Sequence, residues 1–134
     1  MAVKGGILLL SSAKKRYLFV IYELGKHSNK VSSKDIALSL KIKRSSVSKM
    51  LKAISDDNLI RKEYYGKVQF SEQGAQIANQ LYNKYVLLYA YFYRHLKVSA
   101  NEARHDAILC LCDLSDNSVR KISSLVLTEH HEKG

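Results

Sequence analysis

Lys43, Arg44, Ser45, Ser46, Ser48, Lys49 and Lys52 set four cations and three hydroxyls within a short stretch of chain. Arg and Lys reach phosphates or the acceptors of guanine, and serine hydroxyls bond either, so the chemistry on offer is nucleic-acid recognition. Tyr65 and Lys67, a little further on, are placed to grip the backbone of the same duplex. The competing interpretation is a solvated polar face on a small helical protein, as most charged helix faces are. What favours recognition is the order of the elements around these residues: a capped helix, a turn, an apolar stripe and a wing.

The first of those helices is announced by Ser32-Ser33-Lys34-Asp35, a serine cap with a carboxylate three residues on. Ile36, Ala37 and Leu40 form its inward face. Lys41-Ile42-Lys43-Arg44 turns the chain, with Ile42 expected as the apolar plug between two helices. The second helix is expected from Ser45 or Ser46, where Val47, Met50, Leu51 and Ile54 recur at i, i+3, i+4 and i+7. Asp56-Asp57-Asn58 ends it. Residues 59–63 and 67–70 then read as two strands joined by Tyr64-Tyr65-Gly66, with Gly66 supplying positive φ. Upstream, residues 13–24 carry a core helix capped by Ser11 or Ser12, 25–30 a polar loop, and 1–10 a terminus that either packs its apolar run on a neighbour or frays.

The second half is helical throughout. Residues 75–96 are apolar or aromatic around most of the helix circumference, and two more helices are expected over 100–113 and from 116 to about 128. Three such helices bury the first only with help, so residues 75–134 read as a dimerisation domain, a monomeric aromatic core being the alternative. The fold class is mainly α: an α+β winged helix-turn-helix DNA-binding domain over 1–74, followed by the helical domain.

Composition agrees with that assignment. Lys and Arg number 22 against 12 Asp and Glu, a formal net charge of +10 that attracts phosphate in a salt-dependent way. A basic chain can also seek an anionic membrane, but the apolar run Ile7-Leu8-Leu9-Leu10 is too short for a span, an anchor or a signal-peptide core. A cytoplasmic location without membrane association is expected. Cys110 and Cys112 make no disulfide framework and read as cytosolic thiols. Phosphate loops, nucleophile elbows and zinc-protease motifs are all missing, so catalysis is not expected. The more serious rival is a winged helix serving as a protein-interaction module.

Several stretches together carry a family likeness. Tyr17-Leu18 with Ile21-Tyr22-Glu23-Leu24, Val31 through Ala37, Ser45-Ser46-Val47-Ser48-Lys49-Met50-Leu51, Asn58-Leu59-Ile60, Tyr65-Gly66, Phe70 through Gly74, Leu87-Leu88 and Leu114-Ser115-Asp116 occur in the order of the diphtheria-toxin-repressor and manganese-transport-regulator family. The chain resembles that family from Ser11 to Val126. The resemblance implies a homodimeric transcriptional regulator, most members being repressors, that binds double-stranded DNA at a palindromic operator. It also implies a winged helix, a helical dimerisation domain and no third, SH3-like domain. Manganese or iron, bound between the two domains, is the family's effector.

At the positions that the resemblance marks as ligands, metal-binding side chains are replaced. Arg16, Phe19, Tyr85, Tyr89, Ile108 and Leu111 stand there, and only Cys112 offers a transition-metal donor. One thiolate does not make a site for a hard, oxygen-preferring cation, so no metal cofactor is expected. Three arrangements remain open. Apolar packing with Arg16 as a permanent charge would make a constitutive binder. A small molecule in a tyrosine-lined junction, or oxidation of Cys110 or Cys112, would make another kind of sensor. A shifted metal site would use Asp106, Cys110 and Asp113, at i, i+4 and i+7, with His105 and Cys112 as further donors. His130 and His131 are expected in a disordered end.

Overall fold

The computed structural model describes residues 3–4, 7–8, 10–27, 30–62 and 66–133, with side chains over 10–27, 30–62 and 66–128. Two compact units divide the chain, Met1–Asn79 and Gln80–Gly134. At the amino terminus fraying is replaced by an antiparallel pair, β1 (Val3–Lys4) and β2 (Ile7–Leu8), with Val3 opposite Leu8 and Lys4 opposite Ile7. The strand ladder satisfies backbone groups that a frayed end leaves to water.

Helix α1 (Ser12–Gly25) starts at Ser11, whose hydroxyl accepts the Lys14 amide at 3.2 Å. Its Leu18, Phe19 and Ile21 are fully buried. After β3 (Val31–Ser32), α2 (Ser33–Leu40) is capped as the sequence indicates, Ser32 Oγ accepting the Asp35 amide at 3.1 Å. α2 packs against both α1 and α3 (Arg44–Asp56), whose Val47, Leu51 and Ile54 supply the buried stripe. The second helix therefore begins at Arg44, slightly ahead of the expected serines.

The turn between α2 and α3 departs from expectation. Lys41 sits in the left-handed region at φ 57°, and the Lys41 and Ile42 amides donate to the carbonyls of Leu38 and Ala37 at 3.3 and 3.1 Å. This is the bond pair of a Schellman ending, which favours glycine at the left-handed position. It also turns Ile42 outward: the residue expected as a plug is 40% exposed, and Ile36, Val47 and Leu51 fill the core instead. Lys41→Gly is expected to raise the unfolding free energy by about 1 kcal/mol, the cost of a side chain in left-handed backbone, read as a higher urea midpoint.

α3 ends in a second Schellman pair. Asn58, at φ 61°, and Leu59 donate their amides to Ser55 and Ile54 at 2.9 and 3.3 Å. At the same corner Lys14 Nζ lies 2.7 Å from Asp57 Oδ2, tying the start of α1 to the end of α3. The wing then forms from β4 (Ile60–Lys62) and β5 (Lys67–Phe70), antiparallel with Ile60 opposite Phe70 and Lys62 opposite Val68. Gly66 has φ +72°, as a tight reversal requires. The sheet has a third strand that periodicity does not reveal: β3 pairs with the far edge of β5, Val31 opposite Val68.

Helix α4 (Glu72–Ala90) begins in the first unit, with Ser71 Oγ accepting the Gly74 amide at 3.0 Å and donating to the Asn58 carbonyl at 2.7 Å. The second unit contains the rest of α4, a π-helical turn (Tyr91–His95), α5 (Ala100–Asp113) and α6 (Asp116–Lys133). Ser99 Oγ caps α5 by accepting the Glu102 amide and donates to the Glu102 carboxylate, and Ser115 caps α6. Ala103 and Ala107 on α5 are fully buried. α6 runs well past residue 128, so positions 130 and 131, expected in a disordered end, are helical. Among the described residues no helix is long and apolar enough to cross a membrane.

Candidate nucleic-acid interface

Because Val47, Leu51 and Ile54 turn inward, the opposite face of α3 is left to solvent, and Ser45, Ser48, Lys49 and Lys52 line it at i, i+3, i+4 and i+7. Arg44 and Ser46 are also exposed. Lys43 is the cap residue, extended at φ −70°, ψ 144°, and its side chain has no acceptor with which to cap the first turn. The Ser46 and Val47 amides donate to the Lys43 carbonyl at 3.1 Å, and with no cap side chain over the first turn the positive end of the helix dipole there suits an anion. Seven of the nine residues proposed from the sequence are thus brought to one helix and one end of it.

Lys67 stands on β5, half-buried, opposite Ser32. Tyr65 lies outside the described residues. Sequence reasoning passed over Arg61 and Lys62, both exposed on β4, and treated Ile42 as buried. The strand alternation that would have flagged Arg61 is only three residues long. Charge divides unevenly: residues 1–79 hold 15 Lys and Arg against 6 Asp and Glu, whereas 80–134 hold 7 against 6. The unit that carries α3 and the wing thus accounts for nearly all of the positive field.

The residues considered as a shifted metal site share α5 but face different surroundings. Cys112 is 2% exposed, Cys110 is half-buried, and Asp113 and His105 are exposed. His105 Nδ1 pairs with the adjacent Asp106 at 3.3 Å. Among the described residues no three His, Cys, Asp or Glu side chains gather as a metal group. Burial pushes the Cys110 thiol pKa up, and the Asp106 carboxylate adds to the shift. Both effects suppress the thiolate at neutral pH, the opposite of what a redox-sensing cysteine requires.

The side chains at the positions that the sequence resemblance marks as ligands do not suit a hard divalent cation. Phe19 and Leu111 are buried hydrocarbon. Tyr85 is buried, accepts a hydrogen bond from Arg104 Nη1 at 3.2 Å and lies under that guanidinium, 5.9 Å from its ring centroid. A cation already held on the phenol repels a second one. Cys112 alone does not complete a donor set for manganese or iron.

A three-helix core with a β wing and a bare cationic second helix defines the winged helix-turn-helix class of DNA-binding domain. Residues 9–68, a little under half of the chain, match the family described as iron dependent repressor, N-terminal DNA binding domain. Among solved structures it is similar to the manganese regulator SloR, at 27% identity and a TM-score of 0.70, over 89% of this chain and 54% of that one. IdeR from T. acidophilum shares the fold at 20% identity and a TM-score of 0.71, over 87% of this chain and 54% of that one. A hypothetical protein from Sulfolobus solfataricus shares it at 19% identity and 0.60, over 87% of this chain and 89% of that one. The chain thus spans about half the length of the first two. A search of the curated proteins finds no match.

Proposed function

We propose that the protein is a sequence-specific DNA-binding transcriptional regulator, a repressor by its likeness to repressors, that binds a palindromic operator as a homodimer without a metal corepressor. The single observation that carries the DNA reading is the exposed cationic face and uncapped start of α3 within a winged helix. Residues 1–74 would serve as the DNA-binding domain and 75–134 as the dimerisation domain. In the second unit Val86, Tyr93, Leu96, Leu125 and Leu127 are each about half exposed or more, apolar surface that a two-fold partner would cover. Lys43, Arg44, Ser45, Ser46, Ser48, Lys49 and Lys52 would enter or flank the major groove, with Tyr65 and Lys67 on the backbone. Such a regulator would act in the cytoplasm.

Metal independence rests on the hydrocarbon, guanidinium and phenol groups that replace the ligands. The experiment is selection of duplexes from a random-sequence pool by the purified full chain, in parallel with chelator and with added manganese, iron or zinc. The expected outcome is one palindromic site bound with the same affinity in every condition, a coupling free energy of zero between metal and DNA. Binding only when a metal is present would overturn the metal-independent assignment.

A further inference from the structure

Ile42 is the only uncharged residue of the turn 41–44, and 40% of its surface is exposed to water. Its backbone is held firmly. Its amide donates to the Ala37 carbonyl at 3.1 Å, Lys41 before it is fixed at φ 57°, and α3 begins two residues later at Arg44. Lys41, Lys43 and Arg44 around it are all exposed, so the surface that presents this apolar side chain is shaped by charge for a polyanion. On the major-groove edge of DNA one apolar group is available, the C5-methyl of thymine, beside acceptors that suit Arg and Lys.

We infer that Ile42 is a specificity-determining residue that packs on a thymine methyl group at the start of α3. The inference rests on the DNA-binding assignment and adds to it a base preference that the cations and serines do not supply. The side chain loses water only when the methyl is present, so thymine is favoured at one position of each half-site.

The test replaces thymines, one at a time, by deoxyuridine in the duplex selected by the full-length protein. This removes the methyl and leaves base pairing and charge unchanged. At one thymine per half-site the wild-type protein is expected to bind about fourfold more weakly, the worth of one buried methyl group. Ile42→Ala should bind the thymine and deoxyuridine duplexes equally, and Ile42→Val should restore part of the difference. Urea unfolding of Ile42→Ala should match wild type, because the side chain is not part of the core. Equal penalties for deoxyuridine in wild type and Ile42→Ala, or no penalty at any thymine, would overturn the inference while leaving DNA binding standing. Failure of the wild-type protein to select any duplex would remove the DNA-binding assignment and this inference with it.

Discussion

Replacing Arg44 and Lys49 together by alanine is expected to lower affinity for the selected duplex by roughly 100-fold, two contacts at about 1–3 kcal/mol each with incomplete additivity. Both side chains are exposed on α3 and neither contributes to the buried stripe, so the unfolding free energy should stay within about 0.5 kcal/mol of wild type. The salt dependence separates the kinds of contact. If both residues neutralise phosphates, the slope of log affinity against log salt should fall by about 1.8, at roughly 0.9 for each phosphate released. If one of them reads a guanine, the slope changes less and specificity relaxes at that position instead. Unchanged affinity in an electrophoretic or fluorescence titration would remove α3 from the interface. It would favour the rival role as a protein-interaction module, in which the same substitutions cost a protein partner and DNA affinity is weak and indifferent to sequence.

Gly74→Ala is expected to destabilise the protein by about 3 kcal/mol and lower its melting temperature by roughly 10 °C. Helix propensity predicts the opposite sign, since alanine exceeds glycine by about 1 kcal/mol within a helix. The reversal comes from packing. A Cβ at Gly74 would collide with the Leu59 carbonyl, the same group that accepts the Ser71 amide at 2.9 Å. Relief would require the start of α4 to leave the end of α3, breaking the Ser71 contacts with Asn58 and Leu59 and disturbing fully buried Leu59. Gly25→Ala is the control, because a Cβ there meets only Val31 Cγ2 at 3.8 Å, an ordinary contact. Calorimetry on the two variants checks the pair. Equal melting temperatures would mean that α4 accommodates the methyl by a shift that costs little.

The local signals in the chain were sufficient for much of this architecture. The cap at Ser32, the stripe Val47-Leu51-Ile54, the stop at Asn58 and the reversal at Gly66 each depend on residues within a few positions of one another, and each forms as its side chains dictate. The cationic face of α3 follows from the same periodicity, because burying one stripe of a helix fixes which residues remain outside. The winged helix-turn-helix, and its likeness to the iron-dependent-repressor DNA-binding domain, were legible for that reason.

Other features answer to partners distant in sequence. β3 is two residues long and exists because Val31 meets Val68 across the sheet, a pairing that neither segment announces alone. Gly74 resembles any helix-opening glycine until the Leu59 carbonyl is placed against it. The apolarity of Ile42 points it inward, but the left-handed Lys41 and a core already filled by Ile36, Val47 and Leu51 turn it out. The sequence by itself determined the helices, the wing hairpin, their order and the charged face, since those arise from short-range backbone and side-chain preferences. Only the tertiary structure decided the third strand, the close approach at Gly74 and the exposure of Ile42, because each is settled by which distant atoms already occupy the space.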